Sequence, residues 1–194
     1  MKQKELFLQS DAALRSVIDQ IRPEHLALAA PAGWSRADNP TLRDILAYHA
    51  FDEAWVPDVL AGRTIDEVGD TYAGDLLGAD DPIASYDRLN DLATAAVLAG
   101  DDPEATAHLS YGDYPMGEAL EHMATYRAFQ AWSIAKFIGL DYSLPPELVE
   151  GLWEIIMPNV ETWRSMGVFG PEVAVPADAD RETALLGKTG YLVQ

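Results

Sequence analysis

The chain contains no cysteine among its 194 residues. Without thiols it cannot form a disulfide, a zinc–thiolate site or a cysteine nucleophile. No run approaches the roughly 18 uninterrupted apolar residues typical of a transmembrane helix. The N-terminal stretch has charges scattered through it and no apolar run follows, so we expect no secretory signal peptide. These absences favour a cytoplasmic protein.

Basic residues are also scarce. The sequence has 13 Lys and Arg against 32 Asp and Glu, a formal net charge of −19 and a pI of about 4.3. Such a surface repels phosphate backbones and anionic lipids, so we expect neither nucleic acid nor membranes as partners. Neutral or cationic ligands are favoured at long range. With 48% hydrophobic residues, the chain can bury a sizeable core, and its length suits one domain over residues 1–194.

Four long segments show the apolar spacing of amphipathic helices. We place them at residues 3–21, about 40–61, 82–99 and about 116–138. Asn39 before Pro40 is typical of a helix start, and Gly139 is typical of a helix end. A fifth helix is predicted over residues 147–157, with a further turn at 160–165. The predicted fold is therefore all-α: a four-helix bundle with an additional C-terminal helix.

The remaining segments are rich in Gly, Pro, Asn and Asp, which favour turns and loops. We expect residues 62–80 to be loop and residues 100–115 to be a connector with a short extended piece. Residues 167–194 are expected to form an irregular tail, in which EVAVP is either a short strand or an extended cover. His25 and His108 lie in or beside loops, and we expect both at the surface.

The second predicted helix places ionisable side chains on its apolar face. At about 100° per residue, His49 falls in the middle of the stripe formed by Leu42, Ile45, Leu46, Val56 and Leu60. Glu53 lies one turn further on the same face, and Asp52 lies at its edge. His49 is either a hydrogen-bonded core histidine or a ligand-binding group.

The fourth predicted helix repeats this pattern in the stretch EHMATYRAFQAW. Gln130 falls near the centre of an apolar stripe that contains Met123. Tyr126 and Arg127 flank Gln130 on either side, and His122 lies outside the stripe. A buried polar group left unpaired costs about 1–3 kcal/mol, so these groups should meet each other, a metal ion or a ligand. In a purely structural interpretation, Gln130 is a hydrogen-bonding core residue and Arg127 extends its charge to solvent.

Three segments resemble one known family. PAGWSRADNPTLRDILAYHAFDEAW is similar to the opening of DinB-like proteins of the mycothiol-dependent maleylpyruvate isomerase type, where a Trp-containing loop leads into a helix of the form LRDLLAHL. QAWSIAKFIGLD resembles the family segment HGWDLARATG. VFGPEVAVPADADRETALLGKTG resembles the tail of an actinobacterial branch of uncharacterised metal-binding members. Together the three segments extend the resemblance over nearly the whole chain.

The resemblance implies a bundle of four main helices that often dimerises, so we expect a homodimer. It also implies a divalent metal ion, commonly zinc or nickel, which in some members activates a mycothiol-type thiol. The family ligands are a His on the second helix and a His or Glu followed four residues later by a His on the fourth. His49 matches the first ligand, but Tyr126 and Gln130 stand at the other two positions, and Ser133 replaces the Asp that follows the family's Trp. Neutral Tyr and Gln are poor ligands for zinc or nickel.

Two arrangements could replace the family's metal site. His49, Glu53 and His122 could form a displaced site of two histidines and one glutamate, a combination known for catalytic zinc. Alternatively, Arg127 could occupy the site as a fixed cation paired with Glu53 and hold a ligand carboxylate.

Three functions follow from these alternatives. We favour a small-molecule pocket between the second and fourth predicted helices, with contacts from His49, Glu53, Tyr126, Arg127 and Gln130. His49 could also act there as an acid or base, because an unperturbed histidine has a pKa of about 6.5. The first alternative is a metal-dependent transferase or isomerase that uses a mycothiol-type thiol. The second is a non-catalytic structural dimer module.

Overall fold

The computed structural model describes residues 2–35, 37–100 and 102–193. In these residues it contains nine α-helices, one two-stranded antiparallel sheet and a closing 3-10 helix, so the all-α prediction is confirmed. None of the described helices is both long enough and apolar enough to cross a membrane. The elements are α1 (Gln3–Ile18), α2 (Pro23–Leu26), α3 (Leu42–Leu60), α4 (Ile65–Val68), α5 (Pro82–Ala99), β1 (Thr106–Leu109), β2 (Gly112–Pro115), α6 (Met116–Phe137), α7 (Pro146–Ile156), α8 (Val160–Ser165), α9 (Arg181–Thr189) and the 3-10 helix (Tyr191–Val193).

The chain divides into two compact units. Unit 1 comprises Met1–Leu14 and Glu121–Gln194, and unit 2 comprises Arg15–Leu120. The acidic charge is concentrated in unit 2, which has six Arg, no Lys and 20 Asp or Glu, a formal charge of −14; the other −5 belongs to unit 1. The prediction of a single domain over residues 1–194 stays a prediction.

Helix α3 of unit 2 begins later than the sequence indicated. Thr41 is its N-cap: the Thr41 hydroxyl accepts from the Asp44 amide, and the Asp44 carboxylate accepts from the Thr41 amide at 2.7 Å. Asn39 takes a left-handed backbone with φ of 52°. The Pro40 carbonyl accepts a 2.8 Å hydrogen bond from the Ala30 amide and so lies outside the helix. The predicted start at Pro40 was wrong because Thr41 and Asp44 form a reciprocal cap two residues beyond Asn39.

Helices α3 and α5 pack against each other in the core of unit 2. Four of the five residues in the predicted stripe of α3 are buried, and Leu60 is half-buried. Helix α5 contributes buried residues at helical spacing. These are Tyr86, Asn90, Ala93 and Val97.

The predicted loop at residues 62–80 contains the short helix α4, capped by Thr64 and Glu67. The buried carboxylate of Asp58 holds this segment against α3. Asp58 accepts from Arg63 at 2.9 Å and from the Tyr72 hydroxyl at 2.7 Å. We call Asp58, Arg63 and Tyr72 the loop clamp.

Residues 106–115 form a β-hairpin, which confirms the short extended piece predicted in this connector. His108 on β1 is half-buried and lies 2.8 Å from an Asp113 carboxylate oxygen. His25 is buried, and its Nδ1 accepts from the Arg22 amide at 3.2 Å. The prediction that His25 lies at the surface was wrong, because its imidazole caps the short helix α2 through this hydrogen bond.

The tail of unit 1 is more regular than predicted. Asp180 caps α9 by accepting from the Thr183 amide at 2.7 Å. The EVAVP segment forms no strand, but it runs along α9, where the Val173 amide donates to the Gly187 carbonyl at 2.9 Å. The Phe129 ring stacks on Tyr191 at 4.3 Å between centroids and so joins the tail to α6.

Candidate functional site

Helix α3 buries two ionisable side chains one turn apart. His49 is 1% exposed and Glu53 is fully buried, so the prediction that both lie on the core face is confirmed. Positions i and i+4 share one face of a helix. Tyr86, fully buried on α5, brings its hydroxyl to 3.5 Å from Glu53 Oε1. We call His49, Glu53 and Tyr86 the buried triad.

Sequence reasoning missed Tyr86. The signal was present, because Tyr86, Asn90, Ala93 and Val97 recur at helical spacing on the buried face of α5. Each member of the buried triad has a side chain that can gain or lose a proton. A distance of 3.5 Å is at the outer limit for a hydrogen bond, so this phenol–carboxylate contact is a weak one.

Arg127 of α6 is buried in unit 1. Its side chain is 2% exposed, and its Nε donates to Asp11 Oδ1 at 3.2 Å. Its guanidinium carbon lies 4.7 Å from the centre of the Phe7 ring. The expectation that Arg127 extends its charge to solvent was wrong, because Asp11 and the face of Phe7 stabilise the guanidinium inside the protein. The predicted pairing of Arg127 with Glu53 stays a prediction, since the two residues belong to different units.

Tyr126 and Gln130 are the two least buried residues in the middle of α6. Every residue from 124 to 135 is buried except these two. Tyr126 is 40% exposed and Gln130 is half-buried. The predicted position of Gln130 near the centre of the core stripe was wrong, and Tyr126, predicted at its flank, is exposed. The predicted stripe contains Met123, but this residue is only half-buried. The buried face of α6 is instead lined by small residues: Ala124, Ala128, Ala131 and Ala135.

His122, Tyr126 and Gln130 follow one another at intervals of four residues and therefore lie along one side of α6. His122 is half-buried, as expected for a residue at the edge of the helix, and its ring meets Trp163 edge-on at 6.0 Å. We call these three residues the open stripe. Ser133 is buried and does not belong to it.

The open stripe offers poor donors for a transition metal. Tyr126 and Gln130 are neutral, and they occupy the positions where the family resemblance expects charged or imidazole ligands. Among residues 2–35, 37–100 and 102–193, no group of three or more His, Asp or Glu side chains could hold a metal ion. With neutral side chains at positions 126 and 130, the open stripe does not fit zinc or nickel. Whether His49, Glu53 and His122 come together stays a prediction, because His122 belongs to unit 1 and the other two to unit 2.

No protein-family model, curated protein or solved structure matches this chain. The DinB-like resemblance therefore depends on the three sequence segments alone and stays a prediction.

Proposed function

We propose that this chain is a small-molecule-binding protein of the DinB-like type in which the family's metal site has been replaced by neutral side chains. The open stripe carries the proposal. It is a polar, partly accessible line of residues on a helix that is otherwise buried from residue 124 to 135. Polar side chains that are accessible within an otherwise buried helix are candidates for ligand contacts.

The chemistry of the open stripe favours a neutral or cationic ligand. The Gln130 amide can both donate and accept hydrogen bonds, and Tyr126 offers an aromatic face with a hydroxyl. The acidic surface concentrates cations and repels anions. A ligand carboxylate would compete with Asp11 for Arg127, which already holds that carboxylate at 3.2 Å. We therefore infer an amide or amine ligand rather than an organic acid.

The buried triad consists of residue types that take part in acid–base chemistry. A histidine is the side chain most often used as a general acid or base, and a glutamate one turn away can orient its imidazole. A metal-dependent, thiol-using transferase or isomerase is the competing function, and it requires a stoichiometric zinc or nickel ion.

Restoring the family's ligands tests this proposal. We expect protein purified without a histidine tag or chelator to contain far less than one equivalent of zinc or nickel by mass spectrometry. The double variant Tyr126→Glu with Gln130→His should gain zinc binding, because with His122 it offers three possible ligands at intervals of four residues along one side of α6. Adding His122→Ala to that double variant should weaken zinc binding, whereas adding His108→Ala should not.

Two results would contradict the proposal. A stoichiometric metal ion in the wild-type protein would favour the metal-dependent enzyme. Failure of the double variant to bind zinc, with its fold intact by circular dichroism, would show that residues 126 and 130 do not occupy a former metal site.

Ligand binding can be measured directly with small aromatic amides and primary amines, using matched carboxylic acids as controls. We expect some amides or amines, but not the acids, to raise the melting temperature of the wild-type protein. Gln130→Leu should remove that rise without lowering the basal melting temperature by more than a few degrees. If no compound shifts the wild-type protein, the structural dimer module becomes the better interpretation.

A further inference from the structure

The outward side of α3 carries aromatic residues, although exposed helix faces are ordinarily polar. Tyr48 and Phe51 are 48% and 42% exposed. Trp55, half-buried, follows one turn later, with its ring centroid 6.0 Å from that of Phe51. The spacing of 48, 51 and 55 places these rings along one side of the helix, away from the stripe that contains His49.

The β-hairpin extends this surface. Tyr111, at the hairpin turn, is 61% exposed, and its ring lies 5.6 Å from that of Tyr114. Strand β1 of the hairpin contacts α3, so the hairpin lies beside that helix. We call Tyr48, Phe51, Trp55 and Tyr111 the aromatic face.

Unit 2, which carries the aromatic face, is strongly acidic. Its formal charge is −14. Each of its five described arginines already contacts an acceptor within the unit: Arg15 with Asn90, Arg22 with Glu24, Arg43 with Asp75, Arg63 with Asp58, and Arg88 with Ser85. A partner that complements this charge is positively charged. A second copy of the chain has a net charge of −19 and would be repelled.

We propose that the aromatic face docks a basic, amphipathic helical segment of a partner protein. Apolar side chains of the segment would cover Phe51 and Trp55, and its lysines or arginines would lie over the tyrosine rings and beside Asp52. Exposed aromatic clusters dominate binding energy at protein interfaces, and aromatic faces attract cations directly. This interaction is independent of the proposed small-molecule site, since none of its residues belongs to the open stripe or the buried triad.

A synthetic amphipathic helix of leucine and lysine serves as the probe, with a leucine–glutamate peptide of the same pattern as its charge control. Binding is measured by isothermal titration calorimetry. We expect the leucine–lysine peptide to bind and the leucine–glutamate peptide not to bind. Phe51→Ser should weaken binding by about tenfold or more, as truncation of a buried aromatic anchor does.

Leu92→Ser is the matched control, because Leu92 is an exposed apolar residue of unit 2 on a different helix, α5. We expect it to bind the peptide like the wild-type protein. Equal weakening in both variants, or none in either, would mean non-specific attraction to the acidic surface and would overturn the proposal. Self-association of the wild-type chain in sedimentation velocity, lost in Phe51→Ser, would also overturn it by showing that a second copy covers the face.

Discussion

The two units bury polar groups of different kinds. Unit 1 buries a pair of opposite charges, Arg127 with Asp11, whose side chains are each 2% exposed. Unit 2 buries His49, Glu53 and Tyr86, whose side chains can all change protonation state. A matched ion pair suits a structural role, whereas a set of titratable groups suits acid–base chemistry. The difference shows that buried polarity has to be interpreted by its chemistry as well as by its position.

The units also fix their irregular segments differently. In unit 1 the tail is held by close backbone approach: Gly190 has φ of +81°, and a Cβ there would lie 2.8 Å from the Pro171 carbonyl oxygen. In unit 2 the segment after α3 is held by polar side chains, the loop clamp of Asp58, Arg63 and Tyr72. The tail of unit 1 thus requires a residue without a side chain at position 190, whereas the segment in unit 2 requires the side chains of the loop clamp.

The largest effect should come from breaking the ion pair of unit 1. Arg127→Met removes the buried cation and leaves Asp11 as a buried carboxylate without it, which costs about 3–5 kcal/mol of unfolding free energy in comparable cases. Urea unfolding measures the loss. The double variant Arg127→Met with Asp11→Leu should recover part of it, because the uncompensated charge is gone. A loss below about 1 kcal/mol in the single variant would show that the pair does not stabilise unit 1.

The second largest loss of stability should come from a substitution in the tail. Gly190→Ala places a methyl group 2.8 Å from both the Gly170 carbonyl carbon and the Pro171 oxygen, on a backbone that alanine rarely adopts. Gly139→Ala is the matched control, with a similar φ of +76° and no atom within 4 Å of the added Cβ. We expect about 1 kcal/mol of destabilisation for Gly139→Ala, from backbone conformation alone. Gly190→Ala should cost clearly more, and equal losses in thermal unfolding would contradict the steric explanation.

The smallest effect should come from the loop clamp. Tyr72→Phe removes a 2.7 Å hydrogen bond to a buried carboxylate, which is worth about 1–2 kcal/mol for this half-buried residue. Tyr48→Phe, at an exposed tyrosine, should change the unfolding free energy by less than about 0.5 kcal/mol. If the two variants lose the same amount, the hydrogen bond to Asp58 does not hold the segment.

The loop clamp also predicts a dependence on alkaline pH. Burial, the hydrogen bond to Asp58 and the charge of Asp58 raise the pKa of Tyr72 to about 12. The unfolded phenol has a pKa of about 10, so the folded state retains a proton that the unfolded state loses between these values. This stabilisation is complete below about pH 10 and disappears as the pH rises toward about 12. Unfolding free energy should therefore fall less steeply over that range in Tyr72→Phe than in the wild-type protein.

Much of the site on α3 could be predicted from the sequence, and little of the site on α6 could. The aliphatic residues of α3 recur at helical spacing on one face, so the burial of His49 and Glu53 followed from spacing. Helix α6 is buried on nearly all sides between residues 124 and 135, and an almost uniformly buried helix has no single apolar stripe. Gln130 was predicted near the centre of the stripe for that reason, although it is only half-buried.

The sequence by itself determined the helical class, the four long helices, the net acidic charge and the absence of cysteine chemistry. These properties depend on composition and on contacts within a few residues, which periodicity reports directly. Only the tertiary structure decided that Asp11 meets Arg127, that Tyr86 reaches Glu53, that Asp58 holds Tyr72 and that the tail forms α9. Such contacts join residues far apart along the chain, and one sequence contains no local pattern that records which distant side chain completes a buried charge.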